Sequence, residues 1–185
     1  MNRSMLLAVV FMVSCSTVTT ATVSENDQCA GSPELPEPFK SLFSAVDDET
    51  LLNNALGTAG NGKLCQGRVY QLHDGAELTL YRAWNSTNPY SKMGSWWAFE
   101  QPNGSVAEYR NDYEICYQWS ALDALVSCHL KPGSKVVVGN GQSAQCSEYL
   151  TYPVSATLQV YLEGADQVME NCSSYQGEFS WQLDD

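Results

Sequence analysis

The sequence predicts an α+β protein in which N-terminal helices precede a mostly antiparallel, split β-sheet core stapled by disulfides. Three observations lead to this prediction. Apolar residues recur at helical intervals over residues 39–57 and at a period of two in several short segments from residue 66 onward. A further helical pattern, over residues 105–116, interrupts these strands. Six cysteines follow a predicted leader, an even number that suits disulfide pairing.

The predicted organisation is a signal peptide over residues 1–23, an extended lead-in over 24–38 and a single domain over 39–185. Arg3 gives the leader a basic start, LLAVVFM is its apolar stretch, and STVTTA is a small-residue cleavage region. The apolar run is too short to span a bilayer. We therefore expect a secreted, extracellular protein without a membrane span. An alternative is a lipoprotein anchored through Cys15, because MVSC loosely resembles a bacterial lipobox.

The first elements of the domain are expected to be two helices. Four apolar residues of PFKSLFSAV fall at helical spacing, which predicts a helix from Phe39 to Val46. DDETLLNNALG begins with acidic residues and ends at Gly57, as a second helix would.

Strands are predicted from residue 66 onward. RVYQL and ELTLYRAW flank HDGA, which predicts a hairpin because Asp-Gly tolerates positive φ. SWWAFE follows as a short aromatic strand. SVAEYRNDYEIC predicts a helix, with Ser105 and Glu108 as its capping box. ALVSCHL, SKVVVG and TLQVYL are expected to be strands, and FSWQL a last one.

The cysteines predict three disulfides in an oxidising compartment. Six cysteines allow 15 pairings, and chain order favours 29–65, 116–128 and 146–172. No C-x-x-C spacing occurs, so neither zinc nor any other metal site is predicted. Three sequons predict N-glycosylation in a eukaryotic secretory host, at Asn85, Asn103 and Asn171. The paired cysteines would be Cys29, Cys65, Cys116, Cys128, Cys146 and Cys172.

The charge of the chain disfavours nucleic acid as a partner. Nine Lys and Arg stand against 21 Asp and Glu, for a net charge of −12. Such a surface repels phosphate backbones and anionic lipid. A small anionic ligand remains compatible with it where arginines are locally concentrated.

Arg82 is the residue that first indicates a ligand. Strand alternation places it on the face that carries Leu78, Leu80 and Trp84. Arginine is almost never buried without a partner. With 21 acids in the chain, a nearby carboxylate is one expected partner. A phosphate of a bound ligand is the other.

An ordered set of segments resembles the ADP-ribosyltransferase-like fold: LYRAW, GSWWAFEQP, a helix, LKPGSKVVVG and LQVYL. Within that fold the chain looks most like the branch that contains tuberculosis necrotising toxin and the fungal surface NADases. Arg82 matches the arginine that ends an early strand there, and Gln159 matches a glutamine at the start of a late strand. The resemblance covers about residues 68–163. It departs from the family pattern at YPVSAT, where relatives usually carry several glycines.

The resemblance implies an NAD glycohydrolase that cleaves the nicotinamide–ribose bond, with NAD or NADP as a substrate and no other cofactor. It also leaves open a mono-ADP-ribosyltransferase toxin, or an inactive secreted effector or binding protein of the same fold. Gln159 would be catalytic, and Glu163 is the next candidate for that role. The implied NAD-binding residues are Arg82, Trp84, Ser95, Trp97 and Arg110, and Trp96 is an alternative stacking residue.

Each of these residues also has a purely structural interpretation. Arg110 has the spacing of a solvated helix residue. One of Trp96 and Trp97 is expected in the core, because adjacent residues of a strand point to opposite faces. Gln159 alternates with Leu158 and Val160, which is typical of the outer face of a half-buried strand.

Overall fold

A computed structural model describes residues 28–177 and 179–184. The predicted signal peptide, Cys15 and the first residues of the lead-in lie outside the described residues. Within the described part, no helix is long and apolar enough to cross a membrane. The helices are α1 (Glu49–Ala55), α2 (Val106–Asp112) and α3 (Ala165–Val168), with 3-10 turns at Phe39–Leu42 and Pro89–Ser91.

The strands form two main antiparallel sheets. One sheet has the order β1-β2-β6-β9-β4 and the other the order β11-β10-β5-β3, while β7 and β8 pair separately. The predicted α+β class with mostly antiparallel sheets is therefore confirmed. The strands are β1 (Phe43–Ala45), β2 (Leu64–Leu72), β3 (Thr79–Trp84), β4 (Trp96–Trp97), β5 (Ala124–Leu130), β6 (Lys135–Gly141), β7 (Ala144–Gln145), β8 (Thr151–Tyr152), β9 (Leu158–Tyr161), β10 (Met169–Gln176) and β11 (Gln182–Leu183).

One apolar core joins the two main sheets. Val138 and Val160 from the five-stranded sheet belong to the same buried cluster as Leu80 and Val126 from the four-stranded sheet. At one edge the sheets also meet through the backbone, where Tyr81 exchanges hydrogen bonds of 2.9 and 2.8 Å with Ala98. This junction brings the end of β3 next to β4.

Two of the predicted helices form, and both have side-chain caps. The Asp48 carboxylate accepts a hydrogen bond from the Leu51 N–H at the start of α1. The Ser105 hydroxyl accepts one from the Glu108 N–H at the start of α2, at 3.1 Å. These contacts satisfy N–H groups that lack a partner within the helix.

The helix predicted from Phe39 to Val46 is wrong beyond Leu42. The chain leaves its 3-10 turn and enters β1, in which Phe43 pairs with Leu72 of β2. The apolar spacing is produced by two short elements in succession. Pairing with β2 supplies the backbone hydrogen bonds that a longer helix would have made.

The predicted hairpin is also wrong, although its turn exists. The Ala76 N–H donates to the His73 carbonyl, and Gly75 has φ +77°. The strands on either side separate, since β2 pairs with β6 and β3 pairs with β5 in the other sheet. Local turn chemistry is therefore overridden by the long pairings within each sheet.

Three disulfides form, and their pairing corrects two of the three expected pairs. Cys29–Cys65 is confirmed, whereas the other two are Cys116–Cys146 and Cys128–Cys172. An irregularity in β10 between Glu170 and Ser173 brings Cys172 beside Cys128 of β5, with 4.1 Å between their Cα atoms. Strand pairing, which chain order does not encode, sets the partners. Three disulfides suit an oxidising compartment.

Candidate functional site

A pocket of about 180 Å³ lies where β3, β4 and β9 approach the segment that follows α2. A cavity of roughly 150 Å³ in another protein accommodates benzene, so one flat ring fits a space of this size. Five of the thirteen residues that line the pocket are aromatic, and apolar surface exceeds polar surface, as is common in ligand pockets. The aromatic lining residues are Trp96, Trp97, Tyr109, Tyr113 and Trp119, and the charged or amide residues are Lys63, Arg82, Glu114 and Gln159.

Arg82 enters this pocket without an acidic partner. Its Nε donates to the Ser91 carbonyl at 2.8 Å and its Nη1 to the Trp96 carbonyl at 2.7 Å. A Cβ at Gly94 would overlap the guanidinium, so glycine is required for this approach. The ion pairs found among the described residues are Arg68–Glu34 and Lys135–Asp48, and neither involves Arg82.

Burial lowers the pKa of Arg82 to about 10, which leaves it charged at neutral pH. Its Nη2 makes no hydrogen bond with any residue in the described part of the chain. The guanidinium is thus fixed in place by two neutral carbonyls and retains a donor for an anionic group.

Gln159 is buried in the same pocket and does not lie on an outer face. Gln159 is only 6% exposed. It lies in β9, opposite Gly139 of β6. Its Nε2 donates to Oε2 of Glu114 at 2.6 Å. The amide carbonyl oxygen has no hydrogen-bond partner among the residues described and is not one of the enclosed orphan atoms. Gln159, a residue that lines the pocket, therefore keeps an acceptor that no described residue uses.

Glu114 is the pocket residue that sequence reasoning missed. It is 2% exposed and has a left-handed backbone, with φ +49°. Burial raises the pKa of Glu114 to about 9, although hydrogen bonding from Gln159 and Ser155 partly opposes this shift. A Cβ at Gly141 of β6 would overlap the Glu114 carboxyl. Only a glycine there leaves room for the acid.

The sequence contains one signal for Glu114, and it is weak. The acid stands in YEIC, between two apolar residues and two positions before a cysteine. Glu114 follows the end of α2, so helical periodicity does not predict whether its side chain is buried or exposed. The feature that defines it, the approach to Gln159 of β9, depends on tertiary structure.

The other predicted NAD-binding residues are distributed around the pocket. Trp97 lines it, and its indole N–H donates to the Gly94 carbonyl at 2.8 Å. Trp84 and Ser95 do not line it. Trp84 Nε1 is one of two buried side-chain N or O atoms without a partner among the described residues, and Glu114 Oε1 is the other. The Ser95 carbonyl accepts a backbone hydrogen bond from Leu162.

Arg110 also lies outside the pocket lining, but it holds one wall. Its guanidinium donates to the carbonyls of Ile115, Ser120 and Ala121. Ile115 and Ser120 themselves line the pocket. Arg110 therefore fastens the segment after α2.

Glu163 and two of the three predicted glycosylation sites are exposed. The Glu163 carboxylate accepts hydrogen bonds from the Asn54 amide and the Tyr161 hydroxyl and takes no part in the pocket. Asn103 and Asn171 are exposed. Asn85 is half-buried, and its side-chain oxygen Oδ1 accepts a hydrogen bond from the Thr87 hydroxyl.

A second, acidic pocket of about 310 Å³ adjoins the first. Tyr109 and Tyr113, which stack with ring centroids 4.3 Å apart, line both pockets. The acids of the second pocket are Glu100, Glu108 and Asp112. Over the described residues, no group of three or more His, Cys, Asp or Glu has the arrangement of a metal site.

Comparisons with known proteins give no match: no family model, curated protein or solved structure resembles this chain closely enough to be assigned.

Proposed function

We propose that the protein is a secreted NAD glycohydrolase, which cleaves the bond between nicotinamide and ribose in NAD or NADP. The observation that carries the proposal is that Arg82 and Gln159, distant in sequence, line one aromatic pocket. Arg82 was singled out by its place in a strand, and Gln159 by the resemblance to the ADP-ribosyltransferase-like fold. A catalyst of this type needs both residues within reach of one ligand.

To cleave this bond, the protein needs mainly to bind NAD and to orient its ribose. Nicotinamide leaves from a pyridinium that is already positive, so no general acid is required. The ribose passes through an oxocarbenium-like state, as in glycoside hydrolysis. Hydrogen bonds to the ribose hydroxyls that strengthen as charge develops lower the barrier. The free carbonyl oxygen of Gln159 is suited to accept such a bond.

The aromatic walls suit the cationic ring, because a cation near the face of an indole or phenol ring is attracted to it. Arg82 suits the pyrophosphate, since a guanidinium binds phosphate oxygens with directed N–H groups. The acidic second pocket repels phosphate. The ligand's phosphates are therefore expected on the side of Arg82.

Glu114 gives one reason to keep a mono-ADP-ribosyltransferase as the second candidate. Transferases of this fold usually carry a glutamate where Gln159 stands, and Glu114 places a carboxyl 2.6 Å from that amide. Transfer to a protein acceptor would be seen as labelling of the acceptor by ADP-ribose. Hydrolysis would release nicotinamide with no labelled acceptor.

The test is to incubate the oxidised, folded protein with NAD and measure free nicotinamide. Arg82→Lys keeps the positive charge but loses the paired N–H donors with which a guanidinium can bind two phosphate oxygens. We therefore expect turnover to fall about 10²-fold. Arg68→Lys is the matched control, because Arg68 is an exposed arginine paired with Glu34. No nicotinamide release by the folded wild type would overturn the proposal and favour a binding or effector protein. Equal turnover by Arg82→Lys and wild type would remove Arg82 from the site.

A further inference from the structure

The carboxyl of Glu114 is buried without a cation beside it. Its side-chain neighbours in the described structure are the Gln159 amide, which donates to Oε2 at 2.6 Å, and the Ser155 hydroxyl; both are uncharged, and Oε1 has no partner within hydrogen-bond distance. The groups around it do not supply positive charge. Asp112 adds a negative one, and Tyr113 and Tyr109 stay neutral because burial raises the pKa of both.

The two cations that line the pocket contact backbone carbonyls and not the Glu114 carboxyl. Arg82 is held by the carbonyls of Ser91 and Trp96, and Lys63 Nζ donates to the Asn54 carbonyl. Neither forms an ion pair with Glu114 among the described residues. A buried acid is costly to ionise without a partner. It is favourable to ionise when a cation arrives.

We propose that Glu114 is the counter-ion for a flat cationic ring bound in the aromatic pocket, and that ring binding ionises Glu114. The O–H bond of the carboxyl breaks, its proton passes to solvent, and the carboxylate remains beside the positive ring. One proton is thus released for each ring bound. That the ring is the nicotinamide of NAD rests on the proposed function; that it is a cation rests on Glu114 and the aromatic walls.

Glu114 and Arg82 approach the pocket from different parts of the chain. Glu114 and Gln159 lie against β6 and β9, whereas the Arg82 guanidinium lies against Gly94 and β4. A ligand with a positive ring and a negative tail fits this arrangement. A neutral ring of the same shape gains from the aromatic walls but not from Glu114.

The proposal predicts how affinity changes with pH. Because Glu114 keeps its proton up to a pKa of about 9 in the empty pocket, a cationic ring must displace that proton at lower pH. Affinity for the cation should then rise towards tenfold per pH unit between pH 6 and 9. Affinity for a neutral ring should stay flat. Arg82 begins to lose its charge only near pH 10, beyond this range.

The experiment compares 1-methylnicotinamide, a cation, with neutral nicotinamide by quenching of tryptophan fluorescence at pH 6, 7, 8 and 9. We expect the cation to bind at least about tenfold more tightly at pH 9, with its advantage shrinking as pH falls. Glu114→Gln should abolish the pH dependence of the preference and leave only the smaller part that the aromatic walls supply. Glu163→Gln, a change of an exposed glutamate next to β9, should alter neither the preference nor its pH dependence.

Calorimetry on the wild type in two buffers with different ionisation heats gives a second measurement that does not depend on a variant folding. Release of about one proton per cation bound at pH 7 supports the proposal. No proton release, or equal affinity for both rings at pH 9, overturns it. A cation preference without NAD cleavage would overturn the proposed hydrolase and leave this inference standing. NAD cleavage without a cation preference would do the reverse.

Discussion

The pocket and the outer surface of the molecule contain the same kinds of polar residue in opposite situations. On the surface, Arg68 of β2 pairs with Glu34 at 2.5 Å, and Glu163 accepts two hydrogen bonds. In the pocket, Arg82 has only carbonyl partners among the described residues, and Glu114 has one oxygen without any. The surface groups named here are exposed and pair with other side chains. In the pocket Glu114 is buried and Arg82 is partly buried, and neither has a partner of opposite charge among the described residues.

The difference between pocket and surface residues should have its largest effect on NAD turnover. Gln159→Ala removes the acceptor in the pocket, and we expect NAD turnover to fall about 10²–10³-fold. The matched change is Gln71→Ala in β2, where the amide donates to the Gly133 carbonyl at 2.8 Å outside the pocket. Nicotinamide release by the two variants should differ by that factor. Equal loss in both would mean that the effect is one of folding.

A second test compares two disulfides of similar span. Cys116–Cys146 spans 30 residues and anchors the segment that carries Glu114, whereas Cys29–Cys65 spans 36 and ties the lead-in to β2. Removing either pair should lower the free energy of unfolding by about 3 kcal/mol. Only loss of Cys116–Cys146 should also lower turnover per folded molecule. Denaturant unfolding and the nicotinamide assay together separate the two outcomes, and equal turnover in both variants would contradict the anchoring role.

The third test concerns stability against pH. Folded Glu114 keeps its proton up to a pKa of about 9, while an unfolded glutamate ionises near pH 4.3. Between these values the folded state binds the additional proton, so the free energy of unfolding falls as pH rises, by at most about 1.4 kcal/mol per unit. The stabilising carboxylates Asp48 and Asp123 have lowered pKa values, so their contribution is lost only in more acidic solution.

Glu114→Gln should therefore flatten the profile between pH 5 and 8 and raise the Tm at pH 8. Glu163→Gln should leave the slope as it is, because that carboxylate is exposed. Thermal unfolding at pH 5, 6, 7 and 8 gives the comparison. A wild-type Tm that rises across this range, with no change in slope in Glu114→Gln, would show that Glu114 is ionised in the folded protein.

The smallest expected effect is at the start of α2. Ser105→Ala removes the cap whose hydroxyl accepts from the Glu108 N–H, and should lower the free energy of unfolding by about 1 kcal/mol. Ser105→Asp, which restores an acceptor, should recover most of the loss. Because α2 carries Tyr109, a fall in affinity for the ring that accompanies the Ala change would link this cap to the pocket wall.

Sequence patterns predicted the elements whose signal lies within one short segment. The acidic start of α1, the Ser105 cap of α2 and the strands β5, β6 and β9 are such elements. Patterns failed where pairing across the chain decides. The helix after Phe39 gave way to β1, and the hairpin at Gly75 gave way to pairing in separate sheets.

β10 was missed because its sequence, MENCSSYQ, lacks the apolar alternation that marks a strand. It has a polar surface and is held by pairing with β5.

The candidate site shows the same division. Arg82 is conspicuous in sequence because a charge interrupts an apolar strand face. Gln159 was singled out through a resemblance. Glu114 was missed because its environment is made by β6, β9 and the segment after α2 together. Arg110 looked like a ligand contact, but its carbonyl partners belong to the pocket wall.

The close contact between Gly141 and Glu114 makes the substitutions tolerated at one position depend on the residue at the other. Since a Cβ at Gly141 would overlap the Glu114 carboxyl, alanine at 141 is tolerated only if residue 114 becomes shorter. Relatives that lose the acid are then free to lose the glycine, and relatives that keep the acid must keep the glycine. Positions 114 and 141 are expected to change together over evolution. In relatives with a small residue at 114 and a side chain at 141, an uncharged side chain would occupy the space that the Glu114 carboxyl fills here.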